Sequence, residues 1–276
     1  MTHDARPDLE MGAVVLAGGR SSRMGRSKAL LDWHGSTTLR RITGILQRVA
    51  SPVVVVHAEG QTLPALPGAE LVVDASPGRG PLEGMAAGMR ALRGRCRCVY
   101  VSGTDVPLLH PQLVLSLARA LDTHQAVTPL DGGRVHPLAT VYRIEMLSRI
   151  EALLARDDLR VTPLLEGPHV LRLEIGDLPW AASLRNLNTP KEYAQAIAEA
   201  EPEIIIEAAD DAALDLLGSS RRIVRAATLG RAVAAAPGLS LTLNGEPLCA
   251  DPTTPLVAGD VITVTSSRRA GDRAAS

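Results

Sequence analysis

Ala13-Val14-Val15-Leu16-Ala17, running straight into Gly18-Gly19-Arg20-Ser21-Ser22-Arg23-Met24-Gly25-Arg26-Ser27-Lys28, decides the fold class of this chain. The apolar run reads as a buried strand, and the glycines that follow read as the loop it feeds. Glycines let backbone N–H groups approach an anion closely. Arg20, Arg23, Arg26 and Lys28 add four positive charges within nine residues. A multiply charged anion such as a nucleoside triphosphate suits that loop. Five residues rather than four separate Gly19 from Gly25, and Arg26-Ser27 intervenes before Lys28, so this is not a Walker A loop. The glycine spacing does not match the dinucleotide fingerprint either.

Outward from this loop the chain alternates. Thr38–Ala50 has apolar residues at helical spacing, Val53–Val56 and Leu71–Val73 are β-branched runs, and Leu82–Leu92 is again helical. Cys98–Val101 reads as a strand and Pro111–Leu121 as a helix. Strand, helix, strand, helix predicts an α/β domain with a Rossmann-like, mostly parallel sheet covered on both faces. Ligands of such sheets sit beyond the carboxyl ends of the strands. The loops 18–28, 74–84 and 102–107 all follow predicted strands. Asp105, in Ser102-Gly103-Thr104-Asp105-Val106-Pro107, is placed to hold a magnesium ion whose octahedron phosphates and waters complete. Asp74 opens a loop rich in Gly and Pro, where a carboxylate could contact a base or ribose. His57 ends a strand and His136 precedes Pro137, and both are candidates to face the cleft. Cys96 and Cys98 read as small buried hydrophobes on one strand face.

Thr189 with Glu192 three residues later is a capping box, and Pro190 sits at the first helical position. A helix is therefore expected from 190 to about 200. Beyond Glu201-Pro202 the character changes. Ile204–Ile206, Leu239–Leu243, Pro247–Cys249 and Val261–Thr265 read as short strands, Leu229–Ala236 as a helix, and Asn244-Gly245 as a hairpin turn. The expected organisation is a flexible N-terminus at 1–11, an α/β domain at 12–200, a small α+β domain at 203–267 and a flexible tail at 268–276.

Composition narrows the function classes. Of the 276 residues 46% are hydrophobic and 21% charged, a globular balance. Lys+Arg is 29 and Asp+Glu 30, so no role on nucleic acid or a membrane surface is driven by bulk charge. Aromatics are 2%, with no Phe, which argues against base-stacking platforms for single strands. Three cysteines make no disulfide framework and suit a reducing compartment. The first twelve residues lack the apolar core of a secretory signal, and no apolar run reaches the roughly 20 residues of a membrane span. A cytoplasmic protein is expected.

Five motifs in order, LAGGRSSRMGRSKALL, D-x-x-PGRGPLEGM, SGTDVPLL, HPLATVYR and NLNTPKE, resemble the molybdenum cofactor guanylyltransferase family, within the nucleotide-diphospho-sugar transferase fold. They cover about residues 12–200. The resemblance implies transfer of GMP from GTP to the phosphate of molybdopterin, giving the guanine dinucleotide cofactor and pyrophosphate, with Mg2+ as cofactor. It implies that Arg23 and Lys28 contact phosphates, Gly18 and Gly19 form the backbone cradle, and Leu16 and Ala17 form the base-facing edge. By the same resemblance Asp105 is the magnesium ligand and Asp74 a nucleotide-side carboxylate. Asn186 and Asn188 are the pair that closes the site, and His136 and Pro137 lie near the pterin. His57 stands where the family often has Asn for base recognition. A neutral imidazole offers one donor or one acceptor, not both as an amide does. CTP is therefore the close alternative to GTP. Another phosphorylated acceptor, and a non-catalytic scaffold of cofactor synthesis, are the further alternatives.

The segment LTLNGEPLCADPTTPLVAGDVITV resembles the second half of a ubiquitin-like sulfur carrier of the molybdopterin synthase small-subunit or thiamine type. That implies a β-grasp fold for the C-terminal domain. Those carriers act through a C-terminal Gly-Gly, whereas here the last residues are Gly271-Asp272-Arg273-Ala274-Ala275-Ser276. A docking or regulatory module, touching a protein partner of the same pathway, is the expectation.

Overall fold

The computed structural model describes residues 10–18, 27–74, 76, 78–199, 201–233 and 239–266. They form two compact units. The larger holds described residues up to Trp33 and residues 37–195, and the smaller holds residues 196 onward together with His34–Ser36.

The larger unit is built on one sheet of seven longer strands. These are β1 (Met11–Leu16), β2 (Val53–Ala58), β3 (Ala69–Asp74), β4 (Cys98–Ser102), β5 (Ala126–Asp131), β6 (Ala139–Arg143) and β7 (Val170–Glu174). Their order is β7-β5-β6-β4-β1-β2-β3, and a two-residue strand, Arg134–Val135, pairs with the end of β5. β1 runs parallel to β2 and β4, β2 to β3, and β5 to β7; β6 runs antiparallel between β4 and β5. The mixed α/β sheet is thus mostly parallel, as the alternation predicted. β1 is central and buried at all six positions, which is why its sequence is continuously apolar rather than alternating.

Helices α1 (Thr38–Leu46), α2 (Pro81–Leu92), α3 (Pro111–Arg119), α4 (Leu147–Leu154) and α5 (Pro190–Ala198) complete the unit. α1 starts where the Thr37 side chain accepts the Arg40 N–H at 3.1 Å, an N-cap bond. α2 buries Leu82, Met85, Ala86, Met89 and Leu92, one stripe at helical spacing, against Val14, Val54 and Val101. Its contact is close because Gly88 faces the sheet: a Cβ there would lie 2.5 Å from a Val14 methyl carbon.

Three features depart from the sequence expectation. Coverage of the sheet is incomplete at β3, where Leu71 and Val73 are 54% and 49% exposed. The connection from β2 to β3 carries Pro64 and Pro67 and forms no helix, so no crossover helix covers that face. Cys96 lies in the turn before β4, not on the strand. It is buried like Cys98, whose thiol burial pushes up to about 11. Strands β5, β6 and β7 and helix α4 were not among the elements expected from the sequence. Pro129 lies inside β5, an unusual place for a residue that lacks an N–H; it is tolerated because pairing with β6 stops at Val127.

The smaller unit is a β-rich domain. β8 (Glu203–Ala208), β9 (Arg221–Arg225), β10 (Leu239–Leu243), β11 (Glu246–Leu248) and β12 (Val261–Ser266) lie in the order β9-β8-β12-β10-β11. β8 and β12 are parallel, and the other pairs are antiparallel. Asn244 and Gly245 have φ of 53° and 87°, the type I′ geometry their residue types favour. α6 (Asp211–Leu217) and α7 (Leu229–Ala232) accompany the sheet. α7 ends at Ala232, short of the helix expected to Ala236, because Val233 is already extended with φ of -134°; residues 234–236 lie outside the described residues. Ile204, Ile206, Leu243, Leu256, Ile262 and Val264 form the core. No helix among the described residues is long and apolar enough to cross a membrane.

Candidate active site

The carboxyl ends of β1, β3 and β4 open onto one cavity of about 680 Å3. Leu16, Ala17 and Gly18 line it from the end of β1, Asp74 from the end of β3, and Gly103 to Asp105 from the end of β4. Lys28 and the start of α2 complete the wall. This is the crevice that parallel-sheet topology provides. Gly78 and Gly80, with φ of 91° and 95°, turn the chain into α2 at Pro81. The Gly80 N-cap has no side chain to satisfy the first N–H groups. The positive end of a twelve-residue helix therefore borders the cavity.

A second cavity of about 270 Å3 shares Asp105, Pro81 and Leu138 with the first. His136, Pro137, Arg134 and Asn186 line it, with an apolar wall that includes Val161 and Leu184. Asp105 stands where the two meet. Its backbone carbonyl accepts the Leu187 N–H at 2.8 Å, which ties the Asn186-Leu187-Asn188 turn to the β4 loop. The Lys28 ammonium lies 3.5 Å from Asp105 Oδ2 and donates to Asn188 Oδ1 at 2.8 Å. Gly103 leaves room for the carboxylate, since a Cβ there would sit 2.8 Å from Asp105 Oδ1. Asp74 Oδ1 accepts the Ser76 N–H at 3.0 Å, which orients it at its loop.

Leu16, Ala17, Gly18, Lys28, Asp74 and Asp105 thus share one cavity, and His136, Pro137 and Asn186 line its neighbour, with Asn188 bonded to Lys28. His57 is not among the residues lining either cavity; its Nδ1 lies 2.9 Å from the Ala58 carbonyl oxygen. Gly19 and Arg23 lie outside the described residues. His136 is half-buried, and its Nε2 is buried without a hydrogen-bond partner among the described residues. Desolvation, reinforced by Arg134, holds its pKa below the usual imidazole value, while Asp131 opposes the shift.

Two supporting residues escaped the sequence reading. Arg41 on α1 is 3% exposed and donates from Nε to the Pro107 carbonyl at 2.5 Å, two residues beyond Asp105. Its guanidinium lies over the Trp33 ring at 5.9 Å. A cation within the apolar stripe of α1 was the available signal. Gln61 donates to the Ala17 carbonyl at 2.9 Å and accepts the Ala58 N–H at 3.0 Å, joining the ends of β1 and β2. An isolated Gln in an irregular loop carried no signal.

Residues 13–168 match the MobA-like NTP transferase domain. The chain belongs to this nucleotidyltransferase family. Among its relatives, the probable molybdenum cofactor guanylyltransferase of Mycobacterium tuberculosis (strain ATCC 25618 / H37Rv) is 38% identical over 189 residues, covering 66% of this chain and 92% of the relative. Its counterpart from Mycobacterium avium (strain 104) is 34% identical over 197 residues, covering 70% and 97%. Solved structures share the fold at lower identity. Molybdopterin-guanine dinucleotide biosynthesis protein A from Archaeoglobus fulgidus aligns with TM-score 0.55 at 21% identity, over 67% of this chain and 96% of that one. The 2-C-methyl-D-erythritol 4-phosphate cytidylyltransferase of Thermus thermophilus aligns with TM-score 0.51 at 21% identity, over 67% and 97%. The MobA-like match ends at residue 168, so the C-terminal unit lies outside it.

Proposed function

We propose that this member of the MobA-like family transfers GMP from GTP to the phosphate of molybdopterin, releasing pyrophosphate. The observation that carries the reading is Asp105, which lines both cavities and faces Lys28. A nucleotide in the larger cavity and a phosphorylated acceptor in the smaller would meet at that carboxylate. The names of the relatives supply the identity of the two substrates.

A phosphate monoester is already an anionic nucleophile, so the chain needs no general base. Its task is alignment of the acceptor oxygen with the α-phosphorus and neutralisation of the charge on the departing pyrophosphate. Lys28 supplies a positive charge at the junction, and the N-terminal end of α2 adds a partial one. Arg23 is assigned to the same phosphates by resemblance. Gly18 provides backbone where a side chain would obstruct the triphosphate, and Gly19 is assigned to the same cradle by resemblance. Asp74 faces the nucleotide's base or ribose. Asn186 and Asn188 close the junction, and His136 and Pro137 present a half-apolar wall to the pterin. The donor set fits Mg2+: Asp105 offers one hard oxygen ligand, and this ion binds through one or two carboxylates plus substrate phosphates. Bound there, Mg2+ would supply charge neutralisation on the phosphates.

CTP is the competing nucleotide, because His57 replaces the expected amide and lies outside the cavity lining. The C-terminal unit reads as a ubiquitin-like β-grasp module for docking a protein of the same pathway. Within the order β9-β8-β12-β10-β11, β8 and β12, the first and last strands of the unit along the chain, pair in parallel in the sheet interior, which supports that reading. Pyrophosphate release by the full chain, with Mg2+ and molybdopterin and with GTP, CTP, ATP or UTP in turn, tests the proposal. GTP-dependent release that Asp105→Ala abolishes supports it. Release with CTP alone transfers the chain to cytidylyl chemistry, and no release by folded protein overturns it.

A further inference from the structure

Glu192 lines neither cavity, yet its carboxylate is bonded into the turn that meets Lys28. Glu192 Oε2 accepts the backbone N–H of Asn188 at 2.8 Å and of Thr189 at 2.9 Å. In return Glu192 donates its own N–H to Thr189 Oγ1 at 3.2 Å. A capping box needs only the reciprocal bonds between Thr189 and Glu192. The bond to Asn188 goes one residue further, to the residue whose side-chain oxygen accepts from Lys28 at 2.8 Å. The same turn is pinned on its other side by Leu187 N–H on the Asp105 carbonyl. The two backbone N–H bonds hold the Glu192 carboxyl below the usual range, with the Lys28 charge contributing. The carboxylate is therefore ionised at neutral pH, the form that accepts most strongly.

We propose that Glu192 is a positioning residue that sets the Lys28 ammonium through Asn188. A lysine ammonium is a point charge on a flexible four-carbon stem, so its position at a phosphate depends on what holds it. Asn188 Oδ1 holds it, and the orientation of Asn188 follows from its backbone, which Glu192 and Leu187 fix. Thr189 Oγ1 caps α5 through the Glu192 N–H, whereas the link to Lys28 runs through Asn188, so the helix cap and the positioning role separate by residue. This inference rests on the nucleotidyl-transfer reading, because it assigns Lys28 to nucleotide phosphates.

The test uses the full chain and two readouts, equilibrium binding of GTP with Mg2+ and pyrophosphate release. Glu192→Ala is expected to weaken GTP binding about tenfold, the scale of one charge-assisted hydrogen bond. Glu192→Gln keeps an acceptor oxygen and is expected to restore binding to within about threefold. Thr189→Ala, which removes the cap hydroxyl alone, is expected to leave GTP affinity within about twofold while lowering thermal stability. In a Lys28→Ala background Glu192→Ala is expected to have no further effect on binding, because the two act in series. Equal losses in Glu192→Ala and Thr189→Ala, or additive losses with Lys28→Ala, would reduce Glu192 to a helix cap. In that event wild-type turnover still upholds nucleotidyl transfer. A wild-type chain that binds GTP without turning over leaves the binding comparison decisive, and one that does neither overturns both readings.

Discussion

Replacing Gly88 by Ala sets two opposed effects against each other on the helix that borders both cavities. In an isolated helix the exchange is favourable by about 1 kcal/mol, because glycine loses more conformational entropy. Here the new Cβ would lie 2.5 and 2.7 Å from the two methyl carbons of Val14 and 3.1 Å from one of Val56. Carbon atoms pack at about 3.5–4.0 Å, so the overlap approaches 1 Å. Val14 cannot rotate away: it is fully buried, both methyls already face the helix, and β-branching restricts χ1. Its backbone is held between β2 and β4. The helix must lift instead, and overpacking of this kind costs about 3 kcal/mol at the upper end of its usual range. The net expectation is a loss of about 2 kcal/mol, or about 4–8 °C in Tm for a unit of this size. Lifting α2 also displaces Pro81, which lines the cavity, so nucleotide affinity is expected to fall with stability. Calorimetry on wild type, Gly88→Ala, Val14→Ala and the double variant closes a cycle. With the Val14 methyls gone, Gly88→Ala should become neutral or stabilising by about 1 kcal/mol. A Gly88→Ala protein more stable than wild type, or the same loss in both backgrounds, would refute the close approach of α2 to β1.

Three further outcomes are expected. Lys28→Ala should lower kcat for pyrophosphate release by about 10²–10³, the usual scale for removing one preorganised donor, with an unchanged circular dichroism spectrum. Asp260→Ala should destabilise the C-terminal unit by about 2–3 kcal/mol. The carboxylate is 2% exposed and accepts from the Asn244 amide and the Val257 N–H, and hydrogen exchange should show β10 and β12 losing protection while β1 and β4 keep it. For His136, whose folded-state pKa is depressed, the unfolded chain takes up its proton first as pH falls below about 6.5. Stability should therefore decline from that pH down to the depressed value and level off below it. His136→Gln should remove that part of the decline in urea midpoints between about pH 7.5 and pH 5.

Much of the lining of the candidate site was readable before the fold because its residues sit in contiguous motifs. A strand that ends in glycines, or in Gly-Thr-Asp, announces both itself and the crevice at its end. Leu16 to Gly18, Lys28 and Asp105 come from such stretches, and the structure brings them together. The 189–192 capping box was equally local, and its reciprocal bonds form as read. What escaped depends on residues distant in the chain. Arg41 and Pro107 are bonded across 66 positions, and Lys28 and Asn188 across 160. No periodicity encodes such pairs. Strand β5 carries Pro129, whose tolerance depends on where pairing with β6 stops. His57 looked well placed at the end of β2, but the cavity lining passes it by.

The sequence by itself determined the local chemistry: which runs are buried strands, where helices begin, and which loops carry glycine, lysine and aspartate. Those properties follow from backbone freedom, side-chain periodicity and charge within a few residues. The tertiary structure alone decided that Asp105 joins two cavities, that Lys28 meets Asn188, and that β6 enters the sheet antiparallel. Each is a contact between segments far apart in the chain, set by how helices and strands fill one core and not by the propensities of either segment.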